Sequence, residues 1–140
     1  MKKMKKMLFS LAIVLFALAS CTPSPMDVKP GSAAEAAQKF FNAIKDKDFK
    51  AAASVSDISD QESLIQLVGE EKVRGIQETA LSTAFGSYGF KEVFPVSEEG
   101  EGDKVKVKMY GDTETEGAGY LTITCNKVDG KWWVDWSSVE

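Results

Sequence analysis

The side chains that could do chemistry in this 140-residue chain are its thiols, its carboxylates and its tryptophans. Histidine is absent, which excludes Cys-His nucleophiles, His-Asp triads and histidine zinc sites. Of the two cysteines, Cys21 ends the run Leu18-Ala19-Ser20-Cys21 behind an apolar stretch, where a thiol can serve as an acceptor of lipid. Cys125 is then left without an intrachain partner, and its apolar-facing strand position reads as a small buried hydrophobe. Carboxylates gather at Glu98-Glu99-Gly100-Glu101-Gly102-Asp103 and at Asp112, Glu114 and Glu116. They could attract calcium, but no EF-hand spacing is present, so they read as solvated turn acids; no metal and no cofactor is expected. Trp132, Trp133 and Trp136 fall close together and could stack on a planar ligand, although two of them share a face predicted to be packed.

The thiol at position 21 has a leader before it. Lys2, Lys3, Lys5 and Lys6 make a positive start, Met7 to Leu18 is almost wholly apolar, and small residues follow at Ala19 and Ser20. This run is short of the roughly 20 residues that cross a hydrocarbon core, so it reads as a targeting helix. Leu18-Ala19-Ser20-Cys21 resembles the bacterial lipobox at all four positions. That resemblance implies cleavage between Ser20 and Cys21, removal of residues 1–20, and acylation of Cys21 by a diacylglyceryl group and fatty acid such as palmitate. Membrane contact is then expected through lipid on Cys21. Thr22 is not the aspartate that resembles an inner-membrane retention signal, so the expectation is an exported, envelope-anchored protein, on the outer membrane in a Gram-negative host.

Of 17 basic residues four precede position 21, leaving 13 against 21 acidic ones, a formal charge of −8 for the processed chain. An acidic surface without a basic stripe repels phosphate backbones and anionic headgroups alike, so nucleic acid is not an expected partner and the membrane contact falls to the covalent anchor. Residues 21–30 carry Pro23, Pro25 and Pro30 and read as an extended, solvated spacer. Residues 31–140 are the right length for one domain.

Within that domain the hydrophobic period is first helical and then that of strands. Ser32-Ala33-Ala34-Glu35 is a capping-box pattern opening a helix over Ala33 to Lys45, with Ala36, Ala37, Phe40, Phe41 and Ile44 on one face. A short helix is expected over Phe49 to Val55, a third from about Leu64 that bends at Gly69, and its continuation from Glu70 to about Phe85. From Tyr88 the period becomes two, clearest at Lys104 to Tyr110, with further strands near Gly89–Val96, Tyr120–Val128 and Lys131–Ser137. The architecture expected is α+β: N-terminal helices packed on a curved four-stranded antiparallel sheet. A type I′ turn at Asp129-Gly130 sets Cys125 opposite Val134, Lys127 opposite Trp132 and Ile123 opposite Trp136 on the packed face. The other face carries Tyr120, Thr122, Thr124, Asn126, Trp133 and Asp135, making Trp133 with Tyr120 the candidate surface for an interaction.

Ala36-Ala37, Phe40, Ala43-Ile44, Lys47-Asp48-Phe49 and Ala52, with the closing Gly130-Lys131-Trp132-Trp133-Val134, resemble small bacterial lipoprotein domains of uncharacterised function. Those domains are assigned to the cystatin-like fold of nuclear transport factor two and ketosteroid isomerase. The resemblance implies a cone, a curved sheet wrapped around a long helix, whose opening some relatives use for a ligand or active site. The expected role is non-enzymatic binding of a small ligand or an envelope protein, with a homodimer through the sheet face also open. The alternatives are an isomerase-like enzyme using an acid in the cone, for which no inward acid can be named, and a purely structural envelope module.

Overall fold

The computed structural model describes residues 22–140; the expected leader 1–20, the expected cleavage point between Ser20 and Cys21 and the expected lipidation site Cys21 lie outside the described residues. Ser32 caps the first helix, α1 (Ala33–Lys45), by accepting from the Glu35 amide at 3.2 Å. The Glu35 carboxylate accepts at 2.8 Å from the amide of Gly31, one residue earlier than a capping box requires. A turn with Lys47 at φ 60° leads into α2 (Phe49–Ser54), capped by the Asp48 carboxylate on the Ala51 amide at 3.1 Å. A 3₁₀ turn at Ser59–Gln61 precedes α3 (Glu62–Val68), and α4 (Glu70–Phe85) follows after the single residue Gly69.

The strands β1 (Phe90–Glu101), β2 (Lys104–Thr113), β3 (Gly117–Val128) and β4 (Lys131–Asp135) form one antiparallel meander in the order β1-β2-β3-β4. The described residues thus form four α-helices followed by an open four-stranded sheet, an α+β fold. Asp129 and Gly130 both have positive φ, 54° and 78°, as a type I′ hairpin demands. Gly111 is needed for a different reason, because a Cβ there would come 2.9 Å from the Phe90 ring.

Helix α1 lies on one face of the sheet. Phe40, Phe41 and Ile44 are fully buried there with Val107, Met109, Ile123 and Cys125. Phe40 meets Phe41 edge-on at 5.0 Å and Phe85 at 6.0 Å, which locks α4 to α1, and Phe41 meets Phe90 at 6.1 Å. Lys47 ties the same end together, its ammonium donating to the carbonyls of Gly86, at 2.8 Å, and Tyr88.

Both outer strands meet another segment. Val55–Asp57 runs beside β4, with the Val134 amide donating to Val55 O at 2.9 Å and the Asp57 amide to Val134 O at 2.8 Å. Beside β1, the Met26 amide donates to Pro95 O at 3.0 Å, and Met26 and Val28 pack against the core. The segment expected to be a free spacer therefore lies on the domain, because its apolar Met26 and Val28 find an apolar edge that composition alone does not announce. Covering a strand edge in this way blocks pairing with other chains.

One register expectation fails. Cys125 does face Val134 and Lys127 does face Trp132, but β4 ends at Asp135 and Trp136 begins a 3₁₀ turn, Trp136–Ser138, so Ile123 has no partner there. The Ser138 hydroxyl takes over the ladder by accepting from the Thr124 amide at 2.8 Å while donating to Asp135 O at 2.6 Å. Trp136 turns toward α4 instead, donating its indole N–H to Gln77 Oε1 at 2.6 Å and meeting Phe85 edge-on at 6.1 Å.

Candidate functional site

The surface features that could bind lie where α3 and the start of α4 approach β4. Gly69, at φ 94° and ψ 153°, reverses the chain so that α3 and α4 form a V. Helix α3 supplies Leu64, Ile65, Leu67 and Val68, yet none of its seven residues is buried. Leu67 is 80% exposed, and Ile76 on α4 is 54% exposed. An apolar groove of about 580 Å³ runs between the helices, lined by Leu64, Val68, Gly75, Ile76 and Ala80.

On the other side of α3 a cleft of about 360 Å³ lies against the β3–β4 hairpin, with Ile58, Ile65, Val128 and Trp133 as apolar walls and Arg74, Asp57, Glu70 and Lys131 as charged ones. Trp133 lies between cations: the Arg74 guanidinium carbon is 5.0 Å and the Lys131 ammonium 4.8 Å from its ring centre. Arg74 is already engaged, donating to the carbonyls of Ala53 and Ser56 at 2.6 Å each and pairing with Glu70 at 3.5 Å. Its role is to hold α4 to the segment beside β4.

Asp57 stands between this cleft and a polar one of about 280 Å³ lined by Gln61, Gln77, Asn126 and Asp135. Burial alone would raise its proton affinity. The Ser59 side chain and amide, the Asn126 amide group at 2.9 Å and the Arg74 charge outweigh that and hold its carboxyl below the usual range. It is a fixed carboxylate and cannot lend a proton near neutrality. Gln61 Oε1, on the wall of the polar cleft, is buried without a hydrogen-bond partner.

Trp133 does face away from α1, paired across the ladder with Asn126, but it is half-buried under the two cations. Tyr120 occupies the same sheet face six residues along β3, about 20 Å away at about 3.3 Å per residue, so the two do not form one patch. Tyr120 belongs to a separate cluster with Tyr110 at 5.9 Å, with Lys108 over its ring at 4.5 Å. Trp132 and Trp136, expected in the packed interior, are half-buried at its border. Arg74, Asp57 and Gln77 escaped sequence reading because their partners Trp133, Asn126 and Trp136 are distant in the chain; the exposed apolar run in α3 was visible only as helical periodicity.

No acid side chain among the described residues is buried in the interior of the fold. Among the described residues its buried polar side chains are Ser56 and Gln77, and the clefts above all lie outside it. Nor do the described residues hold a cluster of three or more potential metal ligands, or a helix long and apolar enough to cross a membrane.

No protein-family model matches this chain, and no curated protein matches it. Several solved structures resemble it, among them these two. A solution structure of a SEC-C motif containing protein from Rhodopseudomonas palustris is 14% identical, with a TM-score of 0.51 over 92% of this chain and 88% of that one. A Campylobacter jejuni protein that carries the name NTF2-like transpeptidase as an unproven assignment is 19% identical, with a TM-score of 0.49 over 71% of this chain and 94% of that one. At 14% identity the likeness to the Rhodopseudomonas palustris protein is one of fold alone, and the activity of neither protein passes to this chain.

Proposed function

We propose that this chain is an exported, lipid-anchored envelope module that binds a partner protein through α3 and the clefts on either side of it, without catalysing a reaction. The observation that carries this reading is α3 itself, an apolar helix with no buried residue. A monomer rarely leaves such a patch bare unless something docks on it. A protein suits the surface better than a small molecule. Ligand pockets enclose most of their ligand, whereas these clefts are open, and Arg74, the one guanidinium in the Trp133 cleft, is spent on backbone carbonyls. Two facts favour binding over catalysis: the interior is filled with aromatic and aliphatic side chains, and Asp57 is held ionised by its partners. The lipobox-like Leu18-Ala19-Ser20-Cys21 carries the anchoring part.

Photo-crosslinking in the intact envelope of the producing cells tests the reading. A photoreactive residue at Leu67 is expected to give one discrete adduct, one at exposed Lys50 none, and Ile76→Ser is expected to abolish the Leu67 adduct with thermal unfolding unchanged. An adduct of twice the chain mass identifies the partner as a second copy. The same adducts from both positions, or none from Leu67, overturn the proposal.

A further inference from the structure

The path of residues 22–28 bears on how an anchored domain would stand on a membrane. The segment runs along β1: Met26 donates its amide to Pro95 O at 3.0 Å, and Pro23, Met26 and Val28 are half-buried rather than exposed. Phe94 and Tyr110 point to the sheet face opposite α1 and are only 7% and 5% exposed. Their rings are 5.2 Å apart, and the Thr22 side chain lies beside the Tyr110 hydroxyl. The described chain therefore begins against Tyr110 of β2, one strand in from the β1 edge of the sheet. A residue is about 3.8 Å from its neighbour and a strand about 4.8 Å from the next, so a lipid on the preceding position starts within about 9 Å of this edge.

We infer that residues 22–28 are a docked strap which seats the β1 edge, beside Phe94 and Tyr110, on the bilayer and turns the β4 edge with α3 toward the aqueous side. This rests on the anchored reading given above and adds the orientation. The committed partner of the β1 edge is a lipid surface, because 21 residues precede Thr22 and the acylated one among them adjoins it. The edges are separated by three strand spacings of about 4.8 Å, about 14 Å, beyond which α3 projects further. A free spacer would leave the domain tumbling, with α3 facing the headgroups part of the time. A strap removes that freedom.

The test uses the full acylated protein on vesicles of phosphatidylethanolamine and phosphatidylglycerol, with a nitroxide at Glu92→Cys or at Leu67→Cys. Both positions are exposed, and Cys125 is buried away from the label. On vesicles the label at position 92 is expected to lose several-fold of its accessibility to a water-soluble nickel chelate relative to the label at position 67. Met26→Pro, which removes the amide that binds Pro95, is expected to equalise the two. Equal accessibility in the parent protein, or a contrast that survives Met26→Pro, overturns the strap. Mass spectrometry of the same samples separates the causes. Acylated protein with equal accessibility sinks the orientation alone, whereas an N-terminus without fatty acid sinks the anchor and the orientation together.

Discussion

Cys125 sits under the first turn of α1, its sulfur 3.6 Å from the carbonyl oxygen of Ala33. Burial pushes its thiol from the ordinary 9.0 up to about 12, with the charges of Glu98 and Asp135 adding to the effect. The folded state therefore holds this proton more tightly than the unfolded chain does. Its contribution to stability is complete below pH 9.0 and is lost as pH rises toward about 12. In urea denaturation the parent protein is expected to lose more stability between about pH 8 and about pH 11 than Cys125→Ala does. Equal losses would show that the thiol is not buried. This role was legible from strand alternation, since position 125 falls on the apolar face with Leu121 and Ile123. The guanidinium of Arg74 was not, because its partners Ala53, Ser56 and Trp133 lie far from it in sequence and meet it only when α4 packs beside β4.

Among the elements, α3 owes its position to one glycine. The backbone at Gly69 combines φ 94° with ψ 153°, a region closed to residues with a Cβ, although the space around it is empty. Gly69→Ala is therefore expected to cost about 1 to 3 kcal/mol through backbone strain alone, read as a lowered urea midpoint. A change within a few tenths would mean that α3 re-angles freely and that the V is not fixed. The bend itself could be read in the sequence because Gly69 interrupts two apolar helical periods, just as Ser32 and Asp129-Gly130 announced α1 and the last hairpin. What could not be read was the end of β4. Strand alternation continues through Trp136, and only the Ser138 hydroxyl on the Thr124 amide and the Gln77 acceptor for the indole divert the chain. Those are side-chain contacts across 14 and 59 positions, outside the reach of any local pattern.

For the whole molecule, the sheet has two edges with different neighbours: the 22–28 strap at β1 and the Val55–Asp57 segment with α3 and α4 at β4. Neither the covering of β1 nor the exposure of α3 is a property of a single element, and for that reason composition pointed to a free spacer and a packed third helix. In the proposed anchored form, the charge of the body constrains what can hold it on a membrane. With residues 1–20 removed, 13 basic and 21 acidic residues remain, a charge of −8 that repels anionic headgroups. Raising salt from about 0.1 M to about 1 M shortens the screening length from about 10 Å to about 3 Å, which weakens any electrostatic contact while leaving buried acyl chains in place. The acylated protein is therefore expected to stay on anionic vesicles across that range in a flotation assay, with binding unchanged or slightly stronger as repulsion is screened. Release by salt would mean that lysines such as Lys104, Lys106 and Lys108 on the outer face of β2 grip the headgroups. The membrane would then lie against the sheet face instead of the β1 edge.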